Sequence, residues 1–206
     1  MVIRLRWMAT LVVLFLMVPV VSASPRVIIN EIMYNPADGN SDYSGEWLEL
    51  YNPNDFPINL SNWVVEYDGH QEFLFPSNAI LPERGYLIVS RDTVWFQETY
   101  GIGNLGDDLF GNLSSYRFSN TGTHWIAIRN NENTVIDNVT YSNRCPENYT
   151  IEKIDDLGSS DATGDNWACS LENGGTPLRQ NSVYVPFLSG LPVILVIVAL
   201  LLARRW

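Results

Sequence analysis

The stretch Glu46-Trp47-Leu48-Glu49-Leu50-Tyr51-Asn52-Pro53 limits what this chain can fold into more than any other. It is short, β-prone and ends at Asn-Pro, as does the run from Val27 to Pro36. Proline has no backbone donor for a continuing ladder, so neither strand can run on past its proline. Residues alternate across a strand, so Leu48 and Leu50 should face a core while Trp47, Glu49 and Tyr51 line the other side.

The rest of the central chain repeats this pattern of short strands between turn formers. Asn54 to Asn62 reads as an irregular connection. Trp63–Tyr67 and Gln71–Phe75 flank Asp68-Gly69, a tight-turn signal, and are predicted to form a hairpin. Leu81 to Gly85 is another turn, and Tyr86–Ser90 barely alternates, which predicts a strand buried on both faces. One short helix is predicted over Thr93–Tyr100. Asp92 can accept bonds from the free amides of its first turn, and Gly101 suits the left-handed residue that closes it. Phe96 and Tyr100, four apart, should share a face. Ile102 to Leu113 reads as a glycine-rich surface loop, and strands resume at Tyr116–Ser119, His124–Arg129 and Thr134–Tyr141. Turns separate them at Asn120-Thr121-Gly122 and Asn130 to Asn133. Many short strands with glycine and proline turns indicate an all-β sandwich with one short helix.

The ends differ from the middle. Met1 to Ala23 has a basic head at Arg4 and Arg6, an apolar stretch and the small-residue end Val21-Ser22-Ala23. That layout predicts a signal peptide over 1–23, cleaved after Ala23, with an uncleaved N-terminal anchor as the alternative. At the other end, 183–206 contains the uncharged run Val185 to Ala203, which as a helix would rise roughly 28 Å at about 1.5 Å per residue. That is close to the roughly 30 Å hydrocarbon core of a bilayer, so the expectation is a C-terminal transmembrane helix. Arg204-Arg205 would stay cytoplasmic, placing 24–182 on the extracellular face of a single-pass anchor before any processing. A glycolipid-anchor signal is a further alternative. The layout Val185-Pro186-Phe187, apolar helix, Arg204-Arg205 also resembles the sorting signals cut by archaeosortase or exosortase-type transpeptidases. It lacks the residue those signals place between proline and phenylalanine.

The formal charge is −11, but removing the four terminal arginines leaves 8 basic against 23 acidic residues, a charge of −15. A surface of that sign repels phosphate backbones and argues against direct nucleic-acid binding. Cys145 and Cys169 are the only cysteines, and an exported chain with two of them is expected to pair them. Such a closure contributes about 3 to 4 kcal/mol in the loop-entropy model and should fasten the last strands across the polar stretch Asp155 to Asn166. There is no close cysteine pair, and His70 and His124 show no ligand spacing, so no metal or cofactor is expected from these residues.

By this point the chain resembles a known family, the lamin tail domain, an immunoglobulin-like β-sandwich first known from nuclear lamins and widespread in secreted prokaryotic proteins. The resemblance is carried by Ile29-Asn30-Glu31-Ile32-Met33-Tyr34-Asn35-Pro36, Gly45 to Asn52, Ile58 to Trp63, Leu81-Pro82 with Gly85 to Val89, and Phe118 to Gly122. Val135 to Tyr141 and the closing Gly175-Thr176-Pro177-Leu178-Arg179-Gln180-Asn181 complete it, in the family's order. The family's closing motif usually has glycine after Gly-Thr-Pro, where Leu178 stands here. The resemblance implies an interaction module without catalytic residues to carry over, and relatives of this module often accompany secreted nucleases and phosphatases.

Asp38 to Glu46, with Glu49 where a twelfth ligand would fall, is a candidate calcium loop. Tyr43, however, stands where an EF-hand loop needs glycine, and an acidic solvated loop is the simpler reading. Asp155, Asp156, Asp161 and Asp165 form a second acidic loop with no better claim. Glu31 and Glu49 are expected to bond turn amides rather than a ligand, since buried carboxylates persist where they are hydrogen-bonded. Asn59, Asn112, Asn138 and Asn148 head Asn-X-Ser/Thr triplets and are candidate glycan acceptors. Trp63 and Trp125, each in an apolar strand, are expected in the core rather than as sugar-stacking platforms. The function these readings favour is a non-catalytic, membrane-anchored extracellular module for adhesion or envelope assembly, its partner an unidentified protein or envelope polymer. The alternative is an accessory domain of a secreted nuclease or phosphatase system, or a weak hydrolase.

Overall fold

The computed structural model of the chain describes residues 26–37, 44–103, 108–111, 113, 117–155 and 166–185. Among them the chain forms, in order, β1 (Ile28–Met33), β2 (Trp47–Tyr51), β3 (Ile58–Asn59), β4 (Val64–Tyr67), β5 (His70–Leu74), β6 (Ile80–Leu81) and β7 (Tyr86–Ser90). There follow α1 (Thr93–Tyr100), β8 (Leu109–Phe110), β9 (Thr123–Arg129), β10 (Val135–Ser142), β11 (Ile151–Lys153) and β12 (Trp167–Cys169). Six strands make one sheet in the order β12-β11-β1-β2-β7-β8, four make a second in the order β10-β9-β4-β5, and β3 pairs with β6.

The two large sheets face each other because each presents one apolar parity. Ile32, Leu48, Leu50, Leu87 and Val89 from the first meet Val65, Tyr67, Ile126, Ile128 and Tyr141 from the second in one buried core. Each such side chain contributes about 1.5–3 kcal/mol when fully buried. At one open side of the sandwich Phe73 and Phe75 pack against Phe110, with ring centroids 5.9 and 5.7 Å from it. At the other, the Cys145–Cys169 disulfide joins the segment after β10 to β12, with Cα atoms 5.3 Å apart. The staple therefore spans the two sheets at their edge strands.

Local geometry follows the turn chemistry. Asp68 (φ 47°) and Gly69 (φ 85°) both sit in the left-handed region, the combination a two-residue type I′ hairpin needs. Asp68 also accepts the Trp125 amide (3.0 Å) and faces His124 Nδ1 at 2.5 Å, while His124 Nε2 faces the Thr121 carbonyl at 2.8 Å. His124 thus fastens the hairpin to the neighbouring turn. In α1, Asp92 accepts from the amides of Val94 and Trp95, and Gly101 closes the helix at φ 61°.

Several expectations are corrected. The connection 54–62 contains β3, and the loop 102–113 contains β8, which pairs in parallel with β7. Arg117–Ser119 belongs to no strand: Phe118 is buried in the core, and the Ser119 amide donates to the Tyr67 hydroxyl. Trp63 packs against the core as expected, but Trp125 does not. His124, Ile126 and Ile128 take the inward parity of β9, which turns Trp125 outward, where it is half-buried. Among the described residues no helix is long and apolar enough to cross a membrane. The predicted signal peptide, and the predicted anchor from residue 186 onward, lie outside them.

Candidate functional site

The outer face of the six-stranded sheet is covered. Along β2, Trp47, Glu49 and Tyr51 take the outward parity, yet Trp47 and Glu49 are both 0% exposed. Helix α1 lies over Trp47, whose ring meets Phe96 and Tyr100 edge-on with centroids 5.8 and 5.9 Å away. Met33, Ile88 and Leu109 complete this second core. Trp47 Nε1 donates to the Tyr100 hydroxyl (2.9 Å), which donates onward to the Gly174 carbonyl (2.8 Å). Burial pushes the Tyr100 phenol well above its ordinary range.

Next to this aromatic cluster lies a row of three carboxylates. Glu31 stands opposite Glu49 on one side and opposite Glu152 on the other, on strands about 4.8 Å apart. All three are fully buried. Each accepts a backbone amide from the closing segment 172–185. Thr176 N donates to Glu31 (2.8 Å), Leu178 N to Glu49 (2.5 Å) and Val183 N to Glu152 (3.1 Å). Thr150 Oγ1 donates to Glu31 at 2.6 Å, and Ser182 Oγ to Glu152 at 2.7 Å. Asn30 Nδ2 donates to Glu49 (2.7 Å) and to Asn181 Oδ1 (2.8 Å), and Asn181 Nδ2 donates to the Lys153 carbonyl (2.8 Å). The predicted partnership of Glu31 and Glu49 with turn amides is thus seen, with a third carboxylate added.

Like charges at this spacing, out of water, are costly, and the row holds a proton to relieve it. Burial first, and the Glu152 charge second, push Glu31 up to about 8 against the pull of its threonine donors. Burial and the charge of Glu31 raise Glu49 well above the usual carboxylate range. The Thr176 hydroxyl lies 2.9 Å from Glu152 Oε1 and 3.2 Å from Glu31 Oε2. It carries one proton, so when it donates to Glu152 the contact with Glu31 is satisfied by a proton on Glu31 Oε2. Gly175 (φ 81°) allows the close pass, since a Cβ there would collide with Glu31 Oε1 and Thr150. Leu178 is also left-handed (φ 61°), the geometry glycine would adopt freely, and its side chain packs onto the Trp47 cluster. Beyond the row, Asn30, Tyr51, Tyr86, Gln180, Asn181 and Tyr184 line a recess of about 210 Å³, with the Tyr51 and Tyr86 rings stacked at 4.8 Å.

The candidate calcium loop is divided. Residues 38–43 lie outside the described residues, Glu46 is buried against the Arg91 guanidinium (2.6 and 2.8 Å), and Glu49 belongs to the row. Burial raises Glu46 to about 7 although Arg91 opposes it. Among the described residues no cluster of three or more His, Cys, Asp or Glu is arranged to hold a metal ion. Of the second acidic loop only Asp155 is described. Asn59 and Asn138 are exposed, Asn148 is half-buried with its Nδ2 donating to Asn173 (2.5 Å), and Asn112 lies outside the described residues.

Among the described residues, no element covers the outer face of the four-stranded sheet. A groove of about 330 Å³ crosses it, floored by Val64 and by the ion pair of Glu66 and Arg129. Its walls carry the amides of Asn62, Gln71 and Asn131. Within the described residues these three side chains engage no other group, whereas Asn130 spends its oxygen on the amides of Glu132 and Thr134. Trp125 lies four residues before Arg129 on the same outward parity.

Among the described residues, two large sheets over a shared core with a single short helix define a mostly-β sandwich consistent with the immunoglobulin-like class. A family model described as Lamin Tail Domain matches residues 20–143, more than half of the chain, and the chain belongs to the lamin tail domain family. The match stops before β11, β12 and the closing segment, which nevertheless complete the six-stranded sheet and its cover. No curated protein matches the chain.

Proposed function

We propose that this chain is an exported, membrane-anchored lamin-tail module of the secreted type that works outside the cell as a non-catalytic binding or structural element, in adhesion or envelope assembly. The observation that carries this reading is the Cys145–Cys169 disulfide, since such bonds persist in oxidising compartments outside the cytosol. The signal-like 1–23, the apolar 183–206 and the acidic middle of the chain support the same location. Non-catalysis is supported by how the perturbed carboxylates are used. Glu31, Glu49 and Glu152 each bind the chain's own amides beneath a cover, and Glu46 is held by Arg91.

Cell fractionation with mass spectrometry of the mature termini tests the reading. The expected product is membrane-associated, begins at Ser24 and carries glycans on at least one acceptor asparagine. A soluble intracellular chain that keeps Met1 would overturn it. Hydrolysis of phosphoesters or nucleotides by the purified full chain would sink the non-catalytic part.

A further inference from the structure

We propose that the outer face of the four-stranded sheet binds a neutral oligosaccharide, stacked on Trp125 and hydrogen-bonded by the amides around the Glu66–Arg129 pair. This rests on the reading of the chain as a binding module and names the ligand class for it. Three features select that class. Asn62, Gln71 and Asn131 converge on the groove with their side-chain amides unengaged, and an amide offers both donors and an acceptor, as a row of sugar hydroxyls requires. Glu66 and Arg129 neutralise each other, so the groove holds no net charge, while the acidic exterior repels uronate or phosphate-bearing polymers. Among the groove's described lining residues Val64 is the one apolar side chain, too little for the desolvated anchor pocket that a protein partner uses.

The indole supplies what the groove lacks. It is half-buried on the exterior, with an electron-rich face suited to the C–H face of a pyranose. From Trp125 to Arg129 the strand runs about 13 Å at about 3.3 Å per residue, long enough to seat a short oligosaccharide. Ala127, buried between them, keeps the path flat. On the neighbouring strand, Thr140 stands opposite Trp125, and the exposed Asn138 stands opposite Ala127.

The test is titration of the full chain in detergent with short neutral oligosaccharides of glucose, mannose, galactose or N-acetylglucosamine, followed by calorimetry and indole fluorescence. A polygalacturonate fragment is the anionic comparison. At least one neutral probe is expected to bind, with affinity at least tenfold lower in Trp125→Ala, largely restored in Trp125→Phe, and several-fold lower in Asn131→Ala and Gln71→Ala. Gln180→Ala, on the opposite sheet's cover, should bind as wild type. The same ranking is expected in Asn138→Gln, which removes any sugar attached to this face. Should Trp125→Ala fail to fold, the Asn131 and Gln71 variants decide. No binding by any neutral probe, wild-type affinity in the folded Trp125 and amide variants, or equal binding of the anionic fragment would each overturn the site. If the chain is exported and non-hydrolytic yet binds none of these sugars, the glycan assignment falls and the binding-module reading stands.

Discussion

Trp47 and Trp125 both point away from the central core, one from each sheet, and their fates differ. Trp47 is fully buried beneath α1, its indole nitrogen bonded to Tyr100. Trp125 stays half-buried on a face that none of the described elements covers. The difference lies in what the chain sends across each sheet. Helix α1 and the closing segment cross the six-stranded sheet, and they make its buried acids and aromatics structural. None of the described elements crosses the four-stranded one, so its side chains remain available to a partner.

The contrast can be broken most severely at Trp47. Trp47→Ala should cost about 3–5 kcal/mol, because it opens a cavity between β2 and α1 and orphans the Tyr100 hydroxyl as an acceptor. Urea unfolding measures this, and a loss under about 1 kcal/mol would mean that α1 does not seal the face. The carboxylate row comes next. Glu31 is raised from 4.5 to about 8, so it holds a proton in the folded state that the unfolded chain releases. Its contribution is full below about pH 4.5 and is lost as pH rises through about 8, so urea midpoints should fall from about pH 5 to about pH 9. Glu31→Gln keeps the donor to Thr176 without the charge and should flatten that fall. A midpoint that rises over the same range in wild type would refute the protonated row.

At Leu178 the expected effect is smaller. Leu178→Gly relieves a left-handed strain of about 1–2 kcal/mol but gives up packing on the Trp47 cluster and a stiffer unfolded chain, so stability should change by no more than about 1 kcal/mol. A larger loss would show that its apolar contact, rather than its backbone, holds the turn. Smallest of all, Trp125→Ala should stay within about 0.5 kcal/mol of wild type in the same assay, as an outward residue on a bare face does.

Strand positions were legible because their ends are chemical: Pro36, Pro53, Asp68-Gly69 and Gly122 punctuate the chain, and Asp92 and Gly101 bound the helix at both ends. Parity gave Leu48 and Leu50. It could not say whether the opposite face of β2 met water or a cover, since that depends on α1 and on a closing segment more than a hundred residues later in the chain. Glu152 carries no readable signal for a local reason: Ile151–Lys153 is three residues long, with no alternation to read. Aromatic content alone places Trp125 in the core, whereas the parity set by His124, Ile126 and Ile128 turns it outward.

The order in which the cover is fastened decides how the molecule bears load. Val185 N donates to the Ile154 carbonyl, Val183 and Ser182 hold Glu152, and Leu178 and Thr176 hold the remaining acids. Tension applied through the residues after Val185 meets these bonds one after another. Upstream of them all, Cys169 is covalently tied to Cys145, so peeling back the cover leaves the two sheets stapled together. Under such tension the closing segment would detach before the disulfide-stapled sheets part.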